Sequence, residues 1–588
     1  MPIEPFEIIK LAAGIVILTI PGYLWSYMFS KKLSLFERIV FGFILSIVVL
    51  TLGSYFFNAF FDFKITAIFT IVFYLIYTIP VVILYAISIY RFGLPKIKIK
   101  PLNMKYLMLI LLLFFNFLMI FLPHILNNHY LPFHVDEWIH WSNTQGIVDS
   151  GYTAFTNRYI GVGITASPEV GFHISTTSIH FLSGANLLTI FLFMPVLIGL
   201  LMCLTAFNIG ERSKRKFGLE AAFLISFIPT TARYMGPKFY VAVSLGLLLL
   251  IFIIWVSQLK QIQFTPLLTL FVIFTFFVHP VSALACVVFV LIYSCFLAIE
   301  KNYRISFLIV IFSTLPFIIF LILSTRWTMF IDYFMNALSG EEFLLGLPRI
   351  WLSFDHLGTL TWGLFIIGSY FSFTRGNAIK KTLSFLALVF ILVIGLYDIG
   401  GYGFPIIYER TFLFLLIPVI LIAGLGLREI RSLIVKVSKD KRFKKYKYEL
   451  KNIKTGTPVA ICLVILIIGL NAHANINYYM QIDEQDYETF IWIRENIDEY
   501  RDENNTIKKA ALNPFKASPF SAITGLNIFS SNMHPTYGLN NQYKTYDFLN
   551  NKCKDTKFLD RYKIDLVYGN CENENLTKIY EKVYLYLK

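Results

Sequence analysis

The sequence predicts a polytopic α-helical membrane protein that ends in a small soluble α/β region. Three observations carry that expectation. Mean hydropathy is +0.65, and the 588 residues are 57% hydrophobic and only 15% charged, which excludes an ordinary soluble globular protein. Mostly apolar runs, each long enough to cross a ~30 Å hydrocarbon core, recur about fourteen times. After Asn471 the composition turns polar, and short alternating runs replace the long apolar ones.

The first four runs, near 7–28, 39–60, 65–90 and 105–124, follow one another through short loops. The others lie near 184–208, 219–231, 240–258, 264–279, 281–299, 305–324, 357–374, 382–398, 411–427 and 457–475. The 219–231 run is short, so a count of thirteen stays open beside fourteen. The first run is too long, and its N-terminal flank too poor in basic residues, for a cleaved signal peptide. The longest loop, 125–183, holds two helix-like stretches, "VDEWIHWSNTQGIVDSG" and "GFHISTTSIHFLSG", around a Gly/Pro/Asn-rich connection, "TNRYIGVGITASPEV". A second stretch, 325–358, has the aromatic spacing of amphipathic helices lying at the membrane interface. In the tail, "DYETFIWIRENIDEYRDEN" reads as an amphipathic helix. The β-like runs "AAL", "LNIFSS", "IDLVYG" and "VYLYL" alternate there with helix-like pieces around 516–524, 556–563 and 574–582.

Charge orients this framework. Of the net +15, the stretch Arg428 to Lys454 carries eleven Lys or Arg against three acids. Smaller basic loops lie at 30–38, 96–105, 211–216 and 374–381. With fourteen spans all of them fall on one side, which the positive-inside bias makes cytoplasmic. The N-terminus with Glu4 and Glu7, the loops 125–183, 325–356 and 398–410, and everything after about 476 then lie outside. A cytoplasmic loop facing anionic lipid accounts for the basic run, and no nucleic-acid motif accompanies it. The sequons at Asn504 and Asn575 agree with an external tail. Cys203, Cys286, Cys295 and Cys462 fall in apolar runs, where a thiol is a small packing residue. Only Cys553 and Cys571 lie in polar sequence, so they are the candidates for a disulfide or for two separate thiols.

One stretch stands out chemically. In "LPFHVDEWIHW", residues 131–141, Asp136 and Glu137 sit side by side at the expected outer membrane surface. There an enzyme can meet both a lipid-linked donor and a water-soluble acceptor. Transfer from a lipid phosphate to a hydroxyl needs a carboxylate to take the proton. It also needs cations or a metal to stabilise the leaving phosphate. Adjacent helical residues point about 100° apart, so one acid would face the cavity and the other would hold a neighbouring group. The competing reading is a pair of solvated acids that starts an interfacial helix, with Asp136 as its N-cap.

These residues resemble a family. A large external loop carrying Asp-Glu after an apolar span, followed by Gly-Phe-His before the next span, is similar to the GT-C superfamily of polytopic glycosyltransferases that use polyprenyl-phosphate sugars. "VDEWIHW" most resembles the loop of the protein O-mannosyltransferase and aminoarabinose transferase branches. His279-Pro280 in "FFVHPVSAL" and Glu409-Arg410 in "YERTFLFLLIPVILIAGLGL" are further similar elements. The likeness spans roughly 105–475. It implies an N-terminal extension of three spans over 1–104, a transmembrane core over 105–475 with loop 125–183 as catalytic loop, and an extracytoplasmic α/β domain over 476–588. The start, "PGYLWSYMF…SLFERIVFGFILS", is similar to several archaeal membrane proteins joined to such cores. Two departures matter. The tail lacks the Trp-Trp-Asp of oligosaccharyltransferases, and 134–140 lacks Asp-x-Asp. En bloc oligosaccharide transfer and an obligatory divalent metal are therefore not implied, although a metal remains compatible.

The resemblance implies that Asp136 is the base or orienting carboxylate, with Glu137 beside it. His140, Arg158, His279, Glu409 and Arg410 become candidates for substrate binding, and Arg410 stands where a lipid phosphate would lie. Against this, His279 could simply cap a helix, and Glu409–Arg410 could be an interfacial ion pair. Arg233, Lys238 and Arg326 are weaker external cations, and Asp398 is a helix-end acid. The expected partners are a polyprenyl-phosphate sugar, an extracytoplasmic acceptor and membrane lipid, in a cell-envelope setting. Two other classes remain: a transporter or flippase, which would use charges near the bilayer middle and paired broken helices, and a non-catalytic membrane scaffold.

Overall fold

The computed structural model describes residues 4–92, 104–230, 236–260, 264–323, 351–400, 408–439, 463–464, 466, 480–500, 509–532 and 541–586. The apolar runs become helices: α1 Pro5–Phe29, α2 Leu35–Phe61, α3 Ala67–Phe92, α4 Met104–Leu126, α7 Leu187–Glu211, α9 Ala242–Gln258, α10 Thr265–Val278, α11 Pro280–Ile299, α12 Tyr303–Leu323, α13 Trp351–Arg375, α14 Ala378–Gly400 and α15 Tyr408–Lys439. Among the described residues, eight helices are long and apolar enough to cross a membrane, and three shorter apolar ones accompany them. The chain is a polytopic helical membrane protein. The runs at 325–356 and most of 457–475 lie outside the described residues.

The short run at 219–231 behaves differently from a plain span. Only Gly218–Ile225 is helical there (α8), about 12 Å of rise. The described residues that follow, 226–230 and 236–240, are non-helical and buried. One end of the segment meets Arg428 through Glu220, 3.7 Å away. At the other end the Tyr240 N–H donates to Glu137 at 2.9 Å. The segment therefore runs from one end of the bundle to the other, and its described residues beyond Ile225 are not helical. Coil at such depth is tolerated only where protein surrounds it.

Burial sorts the helices. α15 is 94% buried over its apolar window whereas α3 is 17% buried, so α15 is the hub and α3 lies at the rim. α1 and α2 approach closely because a Cβ on Gly22 would collide with the Gly42 carbonyl oxygen. The contact is fixed by the Gly22 N–H donating to Ser46 Oγ at 2.9 Å. In lipid, where no hydrophobic force separates helix from solvent, such close backbone packing holds spans together.

Loop 125–183 folds onto one end of the bundle as α5 Val135–Ser150 and α6 Val170–Ser183. They are joined by an antiparallel hairpin, β1 Ala154–Thr156 with β2 Ile164–Ala166, inside what the sequence read as an irregular connection. The tail opens with α16 Glu484–Asn496. Its five strands run in the order β4-β3-β5-β7-β6: β3 Lys509–Leu512, β4 Asn527–Ile528, β5 Leu566–Tyr568, β6 Thr577–Tyr580 and β7 Val583–Leu585. β3 is parallel to β4 and β5, and the last two strands are antiparallel. Helices α17 Ala517–Thr524, α18 Gln542–Asn550 and α19 Thr556–Tyr562 surround the sheet. The 574–582 piece, expected as a helix, is strand β6 and its turn. "TKIY" pairs with β7 through a tight reversal in which Lys582 takes φ +46°. Helix α18 has no counterpart in the sequence reading.

Candidate active site

Asp136 and Glu137 occupy the first turn of α5, and the fold separates their roles. The N-cap is His134, not Asp136: the His134 ring accepts the Asp136 N–H at 3.1 Å, and Glu137 reaches back to the His134 N–H at 2.9 Å. Glu137 Oε2 also accepts the Phe133 N–H at 3.0 Å, while Oε1 accepts the Tyr240 N–H at 2.9 Å. The Glu137 carboxyl is buried, and burial pushes it up to about 7, against the three N–H groups that favour its charged form. It fastens the start of α5 to the start of α9. Asp136 keeps 24% of its side chain exposed and stands 4.0 Å from His134 Nδ1. Of the two adjacent acids, only Asp136 faces open space.

One turn further, His140 meets groups that the sequence reading did not bring together. His140 Nδ1 lies 3.0 Å from His173 Nε2 on α6, and His140 Nε2 lies 3.7 Å from Glu169. The other Glu169 oxygen is 3.8 Å from His279 Nε2. His279 caps α11: its Nδ1 accepts the Ser282 N–H at 3.1 Å. That bond fixes the lone pair on Nδ1, so a neutral His279 carries its proton on Nε2, toward Glu169. Burial holds the His173 ring neutral, with its value pushed down to about 3. The arrangement that suits the carboxylate best has His173 donating to His140 and both His140 and His279 pointing N–H groups at Glu169. Glu169 and His173 are the residues that sequence reasoning missed. Their signal is "EVGFH", an acid and a histidine four apart at a helix start, which is one helical face. Among the described residues, no three His, Cys, Asp or Glu side chains converge at metal-ligating spacing.

The remaining candidates are placed elsewhere. Arg158 is drawn into the contact between the loop and the tail, where its Nη1 bonds Asp149 at 2.5 Å. The sequence did not signal this contact because the tail that covers Arg158 begins more than three hundred residues later. Lys238 is buried, not an external cation. Glu409 and Arg410 begin α15, and their side chains, with that of Asp398 and all of Arg233 and Arg326, lie outside the described residues. Cys553 and Cys571 are bonded to each other, Cα atoms 5.1 Å apart.

The tail docks on the loop that carries these groups. The Ile528 N–H donates to the Tyr159 carbonyl at 2.8 Å, and Ser521 Oγ donates to the Arg158 carbonyl at 3.2 Å.

No protein-family model matches the sequence, and no curated protein matches it. Solved structures do. The oligosaccharyltransferase of Archaeoglobus fulgidus in the apo form shares 12% identity with a TM-score of 0.52, over 79% of this chain and 70% of that one. The same organism's archaeal oligosaccharyltransferase AglB, in complex with an inhibitory peptide and a dolichol-phosphate, shares 13% identity with a TM-score of 0.51, over 79% and 69%. At such identities the likeness is one of fold. The chain shares the fold of these oligosaccharyltransferases, a polytopic helical bundle with a C-terminal domain.

Proposed function

We propose that the protein is a membrane glycosyltransferase that moves a sugar from a polyprenyl-phosphate carrier to an extracytoplasmic acceptor with inversion. One observation carries the reading: on a bundle of GT-C-like fold, a rigidly framed helix start leaves one carboxylate, Asp136, partly exposed while its neighbour is locked away. The AglB structure holding a dolichol-phosphate supports the donor class. The loop resemblance points to transfer of a single sugar, and the solved neighbours are oligosaccharyltransferases, so the size of the transferred glycan belongs to this proposal.

In the step, the acceptor oxygen attacks the anomeric carbon from the face opposite the carrier. The bond from that carbon to the phosphate oxygen breaks, and the polyprenyl phosphate leaves with the electron pair. The acceptor's proton passes to Asp136. The chain His173–His140–Glu169–His279 holds hydrogen-bond donors and one carboxylate beside this point, suited to fixing sugar hydroxyls. Arg410, in the first turn of α15, is assigned the carrier phosphate, which a guanidinium grips through two parallel hydrogen bonds. The basic end of the bundle is assigned to the cytoplasm, and the N-terminus, loop 125–183 and the tail to the outside. The unit boundaries at 104 and 475 belong to the same reading.

The test is turnover of purified protein with a radiolabelled polyprenyl-phosphate sugar. Asp136→Asn keeps shape and removes the base, so turnover falls roughly 10²–10⁴-fold with folding intact. Near-normal turnover in that variant ends the mechanism. Arg410→Ala weakens donor use strongly and Arg410→Lys restores part of it, because Lys lacks the fork. Equal donor affinity in all three proteins removes Arg410 from the phosphate.

A further inference from the structure

At the C-terminal half of α5, about 20 Å along the helix from Asp136, a cleft of about 440 Å³ opens between the loop and the tail. Its size lies within the ~300–1,000 Å³ of small-molecule sites. Two guanidinium groups line it, Arg158 from the loop and Arg494 from α16. Arg158 is 12% exposed and spends Nη1 on Asp149. Its Nε is shut from solvent with no hydrogen-bond partner. Its Nη2 lies where only glycine leaves room: Gly525 ends α17 at φ +74°, and a Cβ there would stand 2.8 Å from that nitrogen. Arg494 is exposed and makes no ion pair among the described residues. Asp149 answers one of the two positive charges and the other is left over.

The rest of the lining is neither a lipid groove nor a bare anion trap. Gln145 donates to one Asp149 oxygen at 2.6 Å and Arg158 holds the other, which leaves the Gln145 amide oxygen for a ligand. The Phe155 ring packs over Gly146 and forms an apolar wall. A planar amide that binds a sugar hydroxyl, an aromatic wall for a sugar's C–H face, and one surplus guanidinium select a definite chemistry. We propose that this cleft is a subsite for a carboxylate-bearing sugar, of the hexuronic-acid type, belonging to the glycan handled at the α5 start. The source of that sugar rests on the glycosyltransferase reading, whereas the binding does not.

The test uses full-length protein in detergent, with methyl glucuronide, methyl glucoside and inorganic phosphate as probes, followed by calorimetry and ligand-observed NMR. The glucuronide should bind saturably and at least roughly tenfold more tightly than the glucoside, the worth of one charge-assisted hydrogen bond. Arg494→Gln, at an exposed side chain, should lower glucuronide affinity by a similar factor while the melting temperature holds. Arg158→Gln should do the same, with any change in melting temperature read separately. Equal affinity for the two sugars overturns the proposal, as does unchanged binding in Arg494→Gln or an absence of saturable glucuronide binding. Phosphate binding as tightly as the glucuronide marks a simple anion site and overturns the sugar assignment. Asp136→Asn separates the two readings. Glucuronide binding that survives it keeps the cleft distinct from the reacting carboxylate, and binding lost with it moves the sugar to the α5 start and overturns the cleft. Full turnover in Asp136→Asn would overturn the catalytic mechanism and leave the cleft standing.

Discussion

The basic end of the helical bundle and the surroundings of the α5 start use charge in opposite ways. At the basic end, carboxylates meet Lys or Arg: Glu211 with Lys105, Glu37 with Arg212, Glu429 with Arg215 at 2.9 Å, and Glu300 with Lys260 at 3.3 Å. Each pair joins residues distant in sequence and closes a seam between elements. Around the α5 start, carboxylates meet backbone N–H groups and imidazoles instead: Glu137 with three amides, Glu169 with two histidines. An imidazole gains or loses a proton near neutral pH and a guanidinium does not. The first end is built of permanent charges and serves as staples. The second is built of groups that can exchange protons, which is what proton transfer needs.

That contrast can be broken or sharpened by measurement, beginning with the largest effect. Asp136→Asn should cost roughly 10²–10⁴ in turnover with little change in melting temperature, whereas Glu137→Gln should cost much less turnover per folded molecule. A dead Glu137→Gln beside an active Asp136→Asn reverses the two roles. At the basic end, Arg212→Met strands the buried Glu37 carboxylate with only the Trp255 indole N–H at 3.3 Å and its own helix cap. It should destabilise by about 1–3 kcal/mol, read as a lower melting temperature, and leave turnover per folded molecule unchanged. Loss of turnover there would deny that this end is purely structural. Glu137→Gln presents one acceptor oxygen to three N–H donors, so it too should cost about 1–3 kcal/mol, and an unchanged melting temperature would deny its fastening role. The smallest effect is a slope with pH. The Glu137 carboxyl is raised from 4.5 to about 7, so the folded state holds this proton more tightly than the unfolded state does. The stability it contributes is present below about 4.5 and is lost as pH rises through about 7. Glu137→Gln should flatten that part of the melting-temperature profile, and a profile identical to that of the unaltered protein would remove Glu137 from it.

What the sequence disclosed follows from what is local. Hydrocarbon thickness dictates span length, so α1 to α4 and α11 could be bounded within a few residues from apolar runs alone. The adjacent acids were conspicuous because charge is scarce around them. Their division of labour was not legible, since it depends on the Tyr240 N–H, which lies over a hundred residues away. Glu169 lies in the connection beside Pro168, and only the packing of α6 against α5 and α10 sets it between His140 and His279. Strand β6 was misread because its alternation is too short to distinguish from a helix turn until β7 pairs with it.

The crossing that begins with the short helix Gly218–Ile225 and ends at Tyr240 also bears on how the molecule is made. A newly synthesised segment enters the bilayer on its own only if it is apolar for about twenty residues and satisfies its own backbone. Eight helical residues followed by coil do neither. The helices packed against α8 are α4, α7 and the hub α15, and α15 leaves the ribosome long after α8. Until then the segment has neighbours on one side only and its carbonyls face lipid or lumen. Integration of this segment is therefore expected to be completed late, when the hub arrives, and a chain truncated before α15 should be cleared by quality-control proteases faster than the full chain.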